Sequence, residues 1–564
     1  FLAAAHVSKT SLLALPPIRC PFLPLTLFFL HTNIHFCTFD TMPTLWCCCP
    51  RRQRDLGNCD GGALVPPDST EEPFWQDAVR LLKLASMMFL GRASFAVMKA
   101  TDTSLLGYTG KEYLEAVALG DLWNSATGVF IFSSTLSLFC SNAMGSDNLE
   151  MIGVWLQVAY SVLAVVCIFV AICWSVTGPL LKALGSDHQL ADDAQYFALV
   201  LMLCLPVRIA FSQLSIAFNS QKVVKPGSIV ASISMCLNLI FGMLLVRGIP
   251  FRASGFEGYG FAACPWVTTG VEYAQFLLMW TWTVKIQKLH LTWWPGWSCR
   301  HVTKDRVWMF LVQYVPQTLS SASDFWRVTV LGTIATSMGE ENVAVFNASY
   351  RICWIVLIFS SCIGQAMSIR IGISLGAGKP REARRHAEVG IAMALTVLCL
   401  LCLSLIAAPQ LWGRIFTNDR TILEMFENSR LELMAFVGFM NFAVVLEKIP
   451  FAVGRPRVAF WMGVVGSWCG QVPGALLAVN YWRRDLSGLY LGSAAGYALL
   501  CVLLIISCTR FDWHALAAEA EARSKAAASP TAAGTASLQP VQASTAAPPP
   551  STSESAGARP SQRD

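Results

Sequence analysis

Apolar runs of about 20 residues recur along most of the chain, which is the length a helix needs to cross a bilayer. Short polar segments separate the runs. The pattern therefore predicts an all-α membrane protein with about twelve transmembrane helices. The predicted spans lie near residues 84–106, 113–139, 152–176, 194–217, 227–247, 259–284, 308–334, 342–367, 386–408, 431–452, 456–480 and 486–508.

A basic, tryptophan-rich stretch divides the spans into two groups of six. Its Lys and Arg residues surround Trp293, Trp294 and Trp297, which indicates a cytoplasmic linker at the membrane interface. Beyond Phe511 the chain is rich in Ala, Ser, Pro and Glu without periodicity, which is typical of disorder. The predicted divisions are a leader or disordered N-terminal segment at 1–75, an N-lobe at 76–288, the linker at 289–305, a C-lobe at 306–510 and a disordered cytoplasmic tail at 511–564.

The first residues contain a possible translation start and a possible lipidation site. The chain begins with Phe1, and Met42 is a candidate true start. A cysteine cluster next to arginines allows S-acylation with the arginines on anionic lipid, or an unmodified leader. The cluster comprises Cys47, Cys48, Cys49, Arg51 and Arg52.

Composition agrees with a membrane protein. The chain is 54% hydrophobic and 13% charged, whereas a soluble protein of this length needs more charge on its surface. The net charge of +6 lies mostly in loops, so it bears on orientation and not on nucleic-acid binding. Basic residues concentrate in the loops that share a side with the linker, which predicts that both termini are cytoplasmic. The sequence does not choose between the plasma membrane and a vacuolar or other organellar membrane.

Charged residues inside the apolar runs are the first candidates for function, since a charge at membrane depth is costly and usually marks an ion or substrate path. Asp102 lies in the first span, and Lys99 lies three residues earlier on the same helical face. Pairing of the two would keep Asp102 ionised. An unpaired Asp102 could change charge by taking up a proton.

The two halves repeat each other's pattern. Gly110 opens one span and Gly339 opens its counterpart, and the two spans end at Ser141-Asn-Ala-Met-Gly-Ser and Ile373-Ser-Leu-Gly-Ala-Gly. Many transporters use such internal repeats to build two bundles around a central site, and alternate access by rocking one bundle against the other.

Several motifs resemble those of the multidrug and toxic compound extrusion (MATE) family of secondary antiporters. They are Asp102-Thr-Ser-Leu-Leu-Gly-Tyr-Thr-Gly, Trp123-Asn-Ser-Ala-Thr-Gly, Cys140-Ser-Asn-Ala-Met-Gly-Ser, Phe218-Asn-Ser-Gln-Lys-Val-Val-Lys-Pro226 and Ser368-Ile-Arg-Ile-Gly-Ile-Ser-Leu-Gly-Ala-Gly. The resemblance covers roughly residues 80–508. It implies two six-helix lobes around a central cavity and export of organic compounds, driven by inward flow of protons or, as the alternative, sodium.

The resemblance also carries functional positions onto this chain. Asp102 matches the acidic position that many prokaryotic members have in the first helix. Asp324 falls where eukaryotic members typically have the first Glu of a Glu-Trp-Trp-Ala-Tyr-Glu-like segment, and Trp326 retains one of the tryptophans. Thr329 replaces the second Glu, and Arg327 is an added charge that could pair with Asp324 at i, i+3 spacing.

Two further polar residues complete the predicted ion-coupling and substrate-binding set. Asn124 matches a cavity-facing position of eukaryotic members, and an interhelical hydrogen bond is its structural alternative. Glu272 could add negative potential to the N-lobe. Asp121, Arg208, Arg351 and Glu447 fit paired structural charges.

The sequence contains no phosphate-binding Gly-Lys-Ser/Thr loop and no metalloprotease motif, so we expect a transporter and not an enzyme. We expect no cofactor or metal beyond H⁺ or Na⁺ as the coupling ion, a small organic molecule as the substrate, the lipid bilayer as surroundings, no nucleic-acid partner and a monomer. One rival function is a flippase for lipid-linked precursors with a cationic cavity formed by Arg92, Lys99, Arg208 and Arg327. Another is a membrane scaffold or receptor that does not transport.

Overall fold

The computed structural model describes residues 73–249, 251, 255–414 and 420–528. Within these ranges the chain forms helices and turns and no β-strand. The predictions for the leader, including Met42 and the cysteine cluster, lie outside the described residues.

The N-lobe helices follow the predicted spans. They are α1 (Phe74–Thr109), α2 (Lys111–Gly128), α3 (Thr135–Gly145), α4 (Glu150–Ser175), the short α5 (Thr177–Ala183), α6 (His188–Met202), α7 (Leu205–Ser220), α8 (Lys225–Phe241) and α9 (Ala263–Trp280). π-Helical turns extend α8 over Gly242–Val246 and α9 over Thr281–Ile286.

The C-lobe helices come after the linker. They are α10 (Lys304–Thr336), α11 (Glu340–Gly376), α12 (Pro380–Ala407), the short α13 (Pro409–Arg414), α14 (Arg420–Asn428), α15 (Arg430–Ala452), α16 (Pro456–Val464), α17 (Val472–Leu477), α18 (Leu486–Thr509) and α19 (Trp513–Ala528). π-Helical turns at Val465–Gln471 and Ala478–Trp482 follow α16 and α17, and the four segments form one membrane span.

The helices account for the twelve predicted spans. In the described part of the chain, nine helical stretches are long and apolar enough to cross a membrane, or ten if the bent pair α6 and α7 is one span. The more polar helices α9 and α10 occupy the two remaining predicted spans. The prediction of an all-α membrane protein is therefore confirmed.

The second span is broken, although its sequence predicts one continuous helix. A 3₁₀ turn at Val129–Ile131 separates α2 from α3. The side chains of α10 bind the interrupted segment: the Tyr314 hydroxyl donates to the Phe130 carbonyl (2.5 Å), and the Gln317 amide donates to the Ser134 hydroxyl (2.7 Å). Irregular backbone at membrane depth is tolerated when protein groups satisfy it in this way.

Each lobe has its own apolar core, and the first half of α1 and the first half of α10 each pack in the core of the opposite lobe. Leu81 and Ala85 near the start of α1 pack in the C-lobe core. Phe310 and Tyr314 near the start of α10 pack in the N-lobe core. The two lobes are therefore interlocked at one end of the bundle. We call this end the terminal face, because α1 begins there and α19 lies there.

The repeated glycine motifs meet at the terminal face. Gly145 at the end of α3 lies against the backbone of Ile373 and Ala377, and Gly376 at the end of α11 lies against the backbone of Asn142. A Cβ atom on either glycine would overlap those backbone atoms. The two motifs that repeat in sequence thus form one close crossing between the lobes, which only glycine permits.

A buried charge cluster joins the lobes beside this crossing. The Asp77 carboxylate of α1 accepts a hydrogen bond from the Arg370 guanidinium of α11 (2.8 Å) and lies 3.3 Å from the Arg385 guanidinium of α12. Arg370 also donates to the Asp77 carbonyl (2.9 Å). The terminal face is therefore closed in this structure.

The linker packs against the N-lobe. Trp293 is 3% exposed, and its ring contacts Phe218 edge to face at 5.5 Å between centroids. The Gln157 amide of α4 donates to the Gly296 carbonyl (2.8 Å). Two of the three linker tryptophans, Trp294 and Trp297, pack edge to face at 5.0 Å.

The prediction of disorder beyond Phe511 is wrong for residues 513–528. They form α19, whose Leu516, Ala517 and Ala520 are buried against the C-lobe. The segment has a low apolar content, but its alanines have high helix propensity and fit close to the neighbouring helices. Residues 529–564 lie outside the described chain.

Candidate functional site

Asp102 is buried in the N-lobe and is held by uncharged donors. Its side chain is 4% exposed. One carboxylate oxygen accepts from the Thr268 hydroxyl of α9 (2.9 Å), and the other accepts from the Asn238 amide of α8 (3.2 Å). No ion pair to Asp102 occurs among the residues that the structure describes. Its charge is therefore solvated by neutral hydrogen-bond donors.

Lys99 pairs with a different carboxylate from the one that the helical spacing suggested. Its ammonium lies 3.9 Å from the Asp121 carboxylate of α2. Both side chains are about one-third exposed, Lys99 at 31% and Asp121 at 37%. The prediction that Lys99 could neutralise Asp102 through a direct pair is wrong, because Lys99 pairs instead with the partly exposed Asp121 carboxylate of α2.

Glu272 forms a buried ion pair with Arg208. The Arg208 guanidinium of α7 donates to both carboxylate oxygens of Glu272 on α9, through Nε (2.9 Å) and Nη2. The expectation that Glu272 adds net negative potential is wrong, since the arginine compensates its charge. Glu272 and Thr268 lie one helical turn apart on α9, so the pair adjoins the Asp102 site.

We expect Glu272→Gln to lower the stability of the protein strongly. It would leave Arg208 as an uncompensated buried cation, which costs about 3–5 kcal/mol. The measurement is thermal unfolding in detergent, followed by tryptophan fluorescence. The matched control is Asp192→Asn, which removes the exposed Lys182–Asp192 pair and should cost less than about 1 kcal/mol. Equal unfolding temperatures for the two variants would contradict the assignment.

Asn124 is buried on α2 with no hydrogen-bond partner. Its side chain is 5% exposed, and neither its amide nitrogen nor its amide oxygen is bonded to another group of the described chain. An unsatisfied buried amide costs roughly 1–3 kcal/mol. The interhelical hydrogen bond considered from the sequence is not present, so Asn124 has donor and acceptor capacity available for water or substrate.

Asp324 forms the predicted pair with Arg327 and stays partly exposed. Its carboxylate lies 3.0 Å from the Arg327 guanidinium, and its side chain is 35% exposed while that of Arg327 is 4% exposed. Arg327 also donates to the Tyr497 hydroxyl of α18 (2.6 Å) and to the Ser467 hydroxyl. These neutral acceptors hold the arginine in place and leave the Asp324 carboxylate on the accessible side.

The C-lobe cluster includes two further charges: Glu447, which the sequence suggested as a paired structural charge, and Lys448, which it did not single out. Glu447 and Lys448 of α15 are close enough to Asp324 and Arg327 for their charges to interact. Their presence in an apolar span was a usable signal, because intramembrane charges mark functional sites. Only the fold shows that α10, α15 and α18 bring these charges and Tyr497 together.

Trp326 does not share the Asp324 side of α10. Residues two positions apart on an α-helix are separated by about 200° around its axis, so Trp326 points away from Asp324. The ring is 39% exposed. The structure therefore separates Trp326 from the carboxylate cluster with which the sequence grouped it.

An apolar groove on the flank of the N-lobe lacks the chemistry of these clusters. It has a volume of about 530 Å³ and lies between α6, α8 and α9. Its lining includes Tyr196, Leu237, Phe241, Trp266 and Val271, and none of the described residues that line it is charged. The candidate site is thus the two polar clusters, one in each lobe.

Two interlocked bundles of membrane-spanning helices, each with buried charged groups, define a polytopic membrane protein of the two-lobed kind. The sequence profile of the MatE family matches residues 88–244 and 311–476, one segment in each lobe. The chain belongs to this MATE family of multidrug and toxin extrusion transporters, as the motifs indicated.

Individual relatives agree with this assignment. The chain is 23% identical over 455 residues to Multidrug and toxin extrusion protein 1 of Danio rerio, covering 79% of this chain and 75% of that protein. It is 24% identical over 439 residues to Protein DETOXIFICATION 56 of Arabidopsis thaliana, covering 75% and 86%. The crystal structure of the eukaryotic MATE transporter AtDTX14 has the same fold, with a TM-score of 0.71, 19% identity and coverage of 80% of this chain and 99% of that one. These relatives are transporters and not enzymes.

Proposed function

We propose that the protein is a secondary active antiporter that exports organic cations or metabolites in exchange for protons, with sodium as the alternative coupling ion. The observation that carries the proposal is Asp102, a carboxylate buried among neutral donors with no paired cation in the described part of the chain. Protonation there would remove a charge that is costly at membrane depth and would change which helix packing is favoured. The terminal face is proposed to be cytoplasmic.

Asp324 is proposed as the second ion-coupling or cation-binding carboxylate. Its exposure and its position among the charges of α10 and α15 support this role. Asn124, with an unsatisfied amide, is proposed to contact substrate. Trp326 is proposed only as an aromatic contact for a cation, separate from the Asp324 cluster.

The flippase alternative receives less support from the geometry. It needs a surplus of positive charge for a phosphate, but three of its four cations have carboxylate partners. The pairs are Lys99–Asp121, Arg208–Glu272 and Arg327–Asp324.

The test is efflux of a cationic dye from reconstituted vesicles, with proton and sodium gradients imposed separately. Asp324→Asn should slow proton-driven efflux about tenfold or more, because the accessible carboxylate is lost and Arg327 loses its ionic partner. The protein should still insert and unfold cooperatively. Wild-type efflux by the variant would remove Asp324 from the mechanism, and absence of flux in the wild-type protein under any gradient would favour a scaffold.

A further inference from the structure

Helix α19 lies across both lobes at the terminal face. Its first half is buried in the C-lobe core through Leu516, Ala517 and Ala520. Its last turn is buried in the N-lobe core through Ala527, which is 1% exposed. One short helix therefore contacts the apolar interior of each lobe.

Polar bonds fasten each half of α19. In the first half, the Glu519 carboxylate lies 2.5 Å from the Arg455 guanidinium between α15 and α16. In the second half, the Arg306 guanidinium at the start of α10 donates to the Ala527 carbonyl through Nε (3.0 Å) and Nη2 (2.7 Å). Arg306 is 7% exposed, so these are buried, charge-assisted hydrogen bonds.

A glycine accommodates the middle of α19. The Arg523 guanidinium lies against Gly454, which has a φ angle of +80°. Arg523 also donates to the Val453 carbonyl at the end of α15 (3.4 Å). A side chain at Gly454 would displace the guanidinium, so the turn after α15 is shaped to receive α19.

The helix rests directly on the crossing of α3 and α11. Arg523, Ser524 and Ala527 face Asn142 and Phe139 of α3 across a gap of about 10 Å³, which is too small for a ligand. Asn142 is the residue whose backbone meets Gly376 of α11. Separation of α3 from α11 therefore requires α19 to leave one of the two lobes.

We propose that α19 is a strap that holds the lobes together at the terminal face and limits how often that face opens. The inference rests on the proposed function only in that an antiporter must open this face during its cycle. The strap would slow opening and stabilise the arrangement that is closed at the terminal face. Residues 529–564 are not needed for this action.

The test compares amide hydrogen exchange in two matched pairs of variants, without substrate or gradient. The first pair is truncation after Arg510, which removes α19, and truncation after Ala528, which keeps it. The second pair is Ala527→Glu, which places a charge in the N-lobe contact, and Ala522→Glu, which places the same charge on the exposed side of α19. The readout is exchange at residues 135–145 and 370–376.

Truncation after Arg510 and the Ala527→Glu substitution should each speed amide exchange at the crossing about tenfold. The reason is that the closed arrangement loses the buried Ala527 contact and its charge-assisted hydrogen bonds. Truncation after Ala528 and Ala522→Glu should match the full-length chain. Equal exchange rates for Ala527→Glu and Ala522→Glu would contradict the strap proposal. This pair of substitutions is the deciding test if the chain truncated after Arg510 does not fold. Since exchange is measured without transport, a failure of the antiport proposal in the vesicle assay would be recognised separately.

Discussion

Asp102→Asn should reduce proton-driven efflux roughly 100-fold while leaving the protein folded in the membrane. The variant keeps the size of the side chain and the hydrogen-bond acceptor for Thr268, but it cannot change charge. A 100-fold reduction corresponds to the loss of about 2.7 kcal/mol of coupling free energy. That amount is small compared with the cost of a charge at membrane depth. The measurement is the initial rate of dye efflux from vesicles with an imposed pH gradient.

The controls separate coupling from binding and from folding. Asp192→Asn makes the same chemical change in an exposed pair and should not alter efflux. Exchange of labelled for unlabelled dye at equal pH needs no net proton flow, so Asp102→Asn should retain it better than proton-driven efflux. If Asp102→Asn kept the wild-type rate under a pH gradient, the carboxylate would be structural, and the proton site would have to lie in the Asp324 cluster.

Gly145→Ala should impair transport by preventing closure of the terminal face. The new methyl group would overlap the Ile373 carbonyl oxygen, and backbone atoms there cannot rotate aside. Overpacking of this kind costs roughly 1–3 kcal/mol, which is about a 5- to 150-fold shift away from the closed arrangement. We expect the efflux rate to fall by a similar factor and exchange at residues 135–145 to rise.

Gly270→Ala is the matched control because a Cβ at Gly270 would meet no described neighbour within 4 Å beyond the adjoining backbone of its own helix. Gly270 lies inside α9, where alanine is intrinsically favoured over glycine by about 1 kcal/mol. Gly270→Ala should therefore leave efflux unchanged and raise the unfolding temperature slightly. Gly376→Ala, on the other side of the crossing, should reproduce the effect of Gly145→Ala. Wild-type transport by both Gly145→Ala and Gly376→Ala would show that the crossing of α3 and α11 does not limit the transport cycle.

The contacts of the two lobes explain why some residues were predictable and others were not. Asp324 and Arg327 are three residues apart on one helix, so their pair follows from local geometry. The same rule predicted a Lys99–Asp102 pair, but Asp121 on α2 binds Lys99. Local spacing identifies possible partners, whereas competition from another helix decides which pair forms.

The partners of Asp102 were beyond the sequence. Asn238 and Thr268 lie 136 and 166 residues away from it, in helices whose rotation depends on packing. Glu272 shows the same dependence, because Arg208 on α7 turned an expected source of negative potential into a neutral pair. The docking of α19 was missed since alanine-rich segments resemble disordered tails until a close partner surface is present.

The apolar runs determined the class of protein and the helical spans, because burial in lipid acts on each segment by itself. The basic, tryptophan-rich linker determined the division into two lobes. The repeated glycine motifs likewise identified corresponding positions in the two halves. Tertiary structure alone decided that Arg208 neutralises Glu272, where the second span breaks and how the terminal face is sealed. These features depend on distances between helices, and side chains far apart in sequence set those distances only when the whole bundle packs.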